Sequence, residues 1–212
     1  MTTFAGRERA ALCKTLLAVG PEGPTLCEGW TARDLAAHLV LREHAPIGSL
    51  GIWFSPLAGY TERLQRELAS QPWERLVEQV AAPPALWHPA RLAKRIERTF
   101  DDGELFVHHE DLRRGDGVAR PRELSDADEE SLWQVLIGTG RLAFRKSAVG
   151  ILVDVPGRDP VQLHKNGERD VTLRGAVGEV LLAAYGRGRA ANVEVDGQPE
   201  DVVALSSSAL GL

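Results

Sequence analysis

Cysteine is scarce in this chain of 212 residues: Cys13 and Cys27 are the only two. Two cysteines cannot build a disulfide framework, and their spacing matches none of the common zinc patterns. The sequence reads them as small, semi-buried thiols. No apolar run approaches the length needed to cross a bilayer. At the N-terminus, Arg7, Glu8, Arg9 and Lys14 interrupt the apolar stretch, so a signal peptide is not expected and the cytoplasm is the expected compartment. A formal net charge of -5 gives no general attraction to nucleic acid or anionic lipid, and neither is expected as a partner. Also missing are a G-x-G-x-x-G turn opening a helix after a strand, a phosphate loop and a G-x-S-x-G elbow. Those absences argue against dinucleotide, nucleotide and serine-hydrolase chemistry.

With 43% hydrophobic and 26% charged residues, the composition is that of a soluble globular protein. Phe4, Leu12, Leu16 and Val19 recur at helical spacing, and Gly20-Pro21 with Gly23-Pro24 ends that helix. Thr31 stands as the N-cap of the next helix, with Asp34 in the capping-box position and Trp30 as a hydrophobic staple. On that helix Leu35, His38, Leu39 and Arg42 share one face. A Gly/Pro loop over 46–59 leads to a helix over 61–69, and Pro72 starts another through Val80. Helical pattern resumes after Pro83-Pro84 and runs to Arg114, with a break expected near Asp101–Gly103. Ser125 caps a further helix bearing Leu132, Trp133, Leu136, Leu142 and Phe144.

After Gly150 the pattern changes. ILVDVPG, PVQLHKNG and RDVTLRG alternate apolar and polar residues between turn signals, as strands do. GAVGEVLLAAYGR reads as a short helix, ANVEVDG as a strand and QPEDVVALSSS as a last helix. The expected fold class is therefore α+β: a helical, four-helix-type bundle over 1–148 and a small α+β domain over 149–212. Ser206–Ser208 read as a fraying end.

Three ionisable residues occupy interior-facing positions of the helical half. Glu104 and His108 are one turn apart on one helix face, and His38 points where a core residue would. A carboxylate and two imidazoles from two helices form a metal site with open coordination positions, which favours catalysis over structure. Taken singly, His38 reads better as a satisfied core histidine, and E-x-x-x-H arises by chance as an ordinary i,i+4 pair; it is their convergence that points to a metal. Asp111, three residues past His108, is placed to orient a ligand. His109 points about a third of a turn away, toward a pocket, where it is a candidate substrate-binding residue, or toward the surface. Arg113 and Arg114 serve either as charges at the helix C-terminus or as holders of an anionic substrate, a role also open to Arg42. His44 lies nearly two turns beyond His38, and His88 and His164 lack ligand-like companions; all three read as structural or solvent-facing.

EGWTARDLAAHLV and GELFVHHEDLRRG resemble the two signatures of the actinobacterial mycothiol-dependent maleylpyruvate isomerase-like family, within the DinB-like helical bundles. VTLRGAVGEVLLAAYGRGRAANVEVDG is similar to that family's small C-terminal domain, related to sterol-carrier-like folds. The resemblance implies that His38, Glu104 and His108 bind a divalent metal, commonly zinc. The VHHEDLRR form looks closest to an uncharacterised metal-binding branch, so isomerase activity itself does not transfer. What it implies is a metal-dependent enzyme using a small thiol such as mycothiol for S-transfer to, or isomerisation of, a small electrophile. The alternatives are a metal-dependent hydrolase without thiol, with an acid such as Glu110, and a metal-binding or small-ligand-binding protein without turnover. Nickel, iron and manganese suit the same three ligands. The chain is expected to be a monomer or homodimer.

Overall fold

A computed structural model describes residues 3–44, 58–82 and 94–211. The expected loop over 46–59 lies almost wholly outside them, and so does His88. Contacts divide the chain into two units, Met1–Asp116 and Gly117–Leu212.

The first unit is helical: α1 (Phe4–Val19), α2 (Ala32–His44), α3 (Ala58–Ala69), α4 (Trp73–Ala81) and α5 (Lys94–Arg113). Thr3 caps α1 by accepting the N–H of Gly6, and Gly20, at φ +76°, stops it. At the start of α2, Asp34 accepts both the Thr31 N–H, at 2.9 Å, and the Thr31 hydroxyl, at 2.8 Å. The carboxylate thus supplies the reaching-back half of a capping box, while Thr31 donates where an N-cap side chain would accept. Leu12 and Leu16 of α1, Leu35 and Leu39 of α2, Leu76 and Val80 of α4, and Leu105 and Leu112 of α5 form one buried apolar cluster.

α5 runs unbroken through Asp101–Gly103, against the break expected there. A glycine inside a helix costs only about 1 kcal/mol. Tertiary contact offsets it: Asp102 is buried and accepts the N–H of Ala5 at 3.1 Å.

In the second unit, α6 (Asp126–Ala143) precedes the strands β1 (Gly150–Asp154), β2 (Val161–His164) and β3 (Asp170–Arg174), then α7 (Val177–Leu182), β4 (Glu194–Asp196) and α8 (Pro199–Ser206). Ser125 caps α6 by accepting the Asp128 N–H at 3.3 Å. The sheet has the order β2-β1-β3-β4, with β1 and β3 parallel and both outer pairings antiparallel. Alternation matches the expected strands: Ile151, Val153, Val171 and Leu173 are buried.

The sequence reading grouped α6 with the bundle, with a boundary at 148/149. The division of contacts falls instead at 116/117, because the buried face of α6 meets second-unit residues: Thr139 bonds the Tyr185 hydroxyl, and Gly140 lies under Leu163. The C-terminal serines, read as a fraying end, are hydrogen-bonded. Ser208 accepts the Ala148 N–H at 3.1 Å and donates to the Ala204 carbonyl at 2.9 Å.

Candidate metal centre

α5 carries most of the site because its sequence places ionisable groups where leucine or valine would complete the apolar stripe. Glu104 and His108 stand one turn apart, with His108 Nε2 3.4 Å from Glu104 Oε2. From α2, His38 brings its ring to 5.2 Å from that of His108, edge to face. On its other side His38 meets the indole of Trp30, with centroids 5.1 Å apart. One ligand atom from each of His38, Glu104 and His108 lies within 4.8 Å of the others.

One of these separations can be compared with the edge of a metal site. Two donors on one tetrahedral zinc, each bonded at roughly 2.0–2.1 Å, stand about 3.3–3.4 Å apart. The 3.4 Å between Nε2 and Oε2 matches that edge. Imidazole and carboxylate donors suit zinc and other first-row divalent ions, and three ligands leave positions open.

Charge is tightly balanced here. Burial pushes the Glu104 carboxyl up, yet the Arg42 guanidinium first, and then His108 and His38, bring it down to about 2. Arg42 Nε is 3.5 Å from Glu104 Oε2, and a terminal nitrogen is 3.5 Å from Asp101 Oδ1. Burial alone would push His108 down. Hydrogen bonding to Asp111, Cys27 and Glu104, with the charge of Glu104, instead holds it well above the usual imidazole range.

Asp111 sits where the sequence reading expected an orienting partner. It is fully buried, and its Oδ2 lies 3.0 Å from His108 Nδ1. Cys27 was read as a bland thiol, and here the structure differs: its Sγ donates to the same Oδ2 at 3.2 Å. No local pattern marks this contact, since it joins the α1–α2 loop to α5 across 84 positions of sequence. Cys27, His108 and Asp111 form a second cluster with ligand atoms within 4.8 Å.

Of the residues assigned to an anionic substrate, only Arg42 stands beside this cluster. His109 turns toward α1, where Nδ1 meets Glu8 Oε1 at 2.7 Å and Nε2 meets the Thr15 hydroxyl at 2.9 Å. One helical residue past His108 is a rotation of about 100°, enough to put it on the α1 side. Arg113 and Arg114 both bond the buried carboxylate of Glu110, each with a contact of 2.6 Å. Arg114 and Glu110 are both fully buried, so their ion pair is not a surface charge at the helix end, while Arg113 is partly exposed.

Solved structures with this fold include crystal structures of mycothiol-dependent maleylpyruvate isomerase and of a histidine-to-alanine mutant of that enzyme. They match 93% of this chain and 97% of their own, at 16% identity and TM-scores of 0.58 and 0.59. That likeness establishes the α+β fold. No protein-family model matches the chain, and no curated protein sequence matches it significantly.

Proposed function

We propose that this protein is a metal-dependent enzyme, with zinc as the leading ion, that uses a low-molecular-weight thiol such as mycothiol for S-transfer to, or isomerisation of, a small electrophile. One observation carries the reading: His38, Glu104 and His108 converge with ligand atoms within 4.8 Å, and three ligands leave room for a further one. A fold shared with a mycothiol-dependent isomerase supports the choice of a thiol as that further ligand.

A divalent cation in such a site lowers the pKa of a bound thiol, so that a thiolate nucleophile is available at neutral pH. The chain's own residues do the rest. His38 and His108 present imidazole nitrogens from two helices, and Glu104 supplies the negative charge that a cation needs. Asp111 accepts the Nδ1 proton of His108 and so leaves Nε2 to face Glu104. Arg42, beside Glu104, offers a guanidinium to an anionic group of the substrate. The Trp30 indole packs against His38, with ring centroids 5.1 Å apart.

The hydrolytic alternative needs an acid near the ion, and its candidate, Glu110, is fully buried against Arg113 and Arg114. This removes Glu110 as that acid. Titrating mycothiol into zinc-loaded protein tests the thiol reading: saturable heat is expected with the native chain and none with His108→Ala. Absence of heat, together with absence of thiol-dependent turnover, removes the reading.

A further inference from the structure

Asp111 Oδ2 is a meeting point of two protons. His108 Nδ1 approaches it at 3.0 Å and Cys27 Sγ at 3.2 Å. A carboxylate oxygen has two lone pairs, and these two donors match them.

The loop bearing Cys27 is tied to α5 by main-chain contacts as well. The Leu26 N–H donates to the Asp111 carbonyl at 3.0 Å, so loop and helix are joined at the same residue twice. Pro24 pairs with Thr31 across the loop. The Thr25 hydroxyl accepts the Cys27 N–H at 3.2 Å and donates to the Trp30 carbonyl at 2.9 Å. Cys27 is therefore delivered to Asp111 by a backbone that is fixed independently of the thiol.

We propose that Cys27 is a positioning residue: its thiol proton anchors Asp111 Oδ2, which holds the Nδ1–H of His108 and keeps Nε2 directed at Glu104 and His38. This rests on the reading of those three residues as metal ligands. It gives sulfur the role of hydrogen-bond donor, not of ligand. The Cys27, Asp111 and His108 atoms are close enough to hold an ion of their own, but both protons on Oδ2 would first have to leave. Losing an outer partner of a metal-bound histidine costs roughly 10–100-fold in affinity. Cys27 touches both Asp111 and His108, and with Asp111 left in place to hold the ring a smaller loss of about 3–10-fold is expected on the same scale.

The test has two readouts. In the metal-free protein, proton NMR follows the His108 Nδ1–H, a downfield, slowly exchanging resonance identified by its loss in Asp111→Ala. Cys27→Ser retains a donor and keeps the resonance; Cys27→Ala shifts or broadens it. Competition with a chromophoric chelator then gives zinc affinity: about 3–10-fold weaker for Cys27→Ala and near native for Cys27→Ser. An unchanged resonance and affinity in Cys27→Ala overturn the proposal, as does Cys27→Ser behaving like Cys27→Ala. A cadmium-thiolate absorption band that disappears in Cys27→Ser also overturns it, since sulfur would then be a ligand. If the native chain binds no zinc, the functional reading fails, while the resonance still decides the role of Cys27.

Discussion

His108 holds its Nε2 3.4 Å from Glu104 Oε2 while its Nδ1 faces a second carboxylate, so one imidazole stands between two anions. Without metal the proton is the cation that this arrangement retains, and His108 is held well above the usual imidazole range. Zinc needs the Nε2 lone pair and must expel that proton. Zinc affinity is thus expected to rise about tenfold per pH unit below the raised His108 value, with close to one proton released per ion. Calorimetry in buffers of different ionisation enthalpy measures the release; affinity independent of pH across neutrality would contradict it.

Stability of the metal-free protein should carry the same two groups with opposite signs. The Glu104 carboxyl is lowered from 4.5 to about 2, so its contribution is present above pH 4.5 and disappears as pH falls toward about 2. His108 is raised, so its contribution is complete below about 6.5 and is lost as pH climbs through the raised value. Urea midpoints of the native chain and Glu104→Gln should differ at pH 5 and converge by pH 2. A gap that persists unchanged at pH 2 would mean that the Glu104 charge contributes nothing.

His109 was expected near a pocket, and its contacts make it a bridge between α1 and α5 instead. Replacing it by alanine removes a buried hydrogen bond to the Glu8 carboxylate, a loss on the order of 2–3 kcal/mol. The expected result is a lowered denaturation midpoint with zinc affinity and KM unchanged. A raised KM at native stability would return His109 to the substrate site.

These outcomes also explain what could be read from sequence. Glu104 and His108 were legible because one helical turn fixes their common face, and His38 because it interrupts an apolar stripe. Periodicity identifies a buried face but not its partner, so α6 was grouped with the bundle although Thr139 meets Tyr185. The same blindness hid the destination of His109 and the burial of Arg114 against Glu110. Cys27 was out of reach for another reason: its role depends on a loop docking onto a distant helix, and no spacing rule encodes that contact.

Gly115 offers a test of that docking without touching any ligand. A Cβ built there would fall 2.0 Å from the Pro24 carbonyl oxygen and 3.0 Å from the Thr25 nitrogen, both backbone atoms with no flexible side chain to yield. Gly115→Ala must therefore push the loop away from the end of α5, at a cost of about 1–3 kcal/mol typical of overpacking. Because Leu26 and Cys27 follow directly and both bond Asp111, the shift should loosen Asp111 and weaken zinc binding alongside stability. Gly117 supplies the control: its φ is +79° and nothing lies within 4 Å of a Cβ there, so Gly117→Ala adds backbone strain of about 1 kcal/mol and leaves zinc affinity native. Equal effects of the two substitutions on zinc would show that the loop does not act on the site through Asp111.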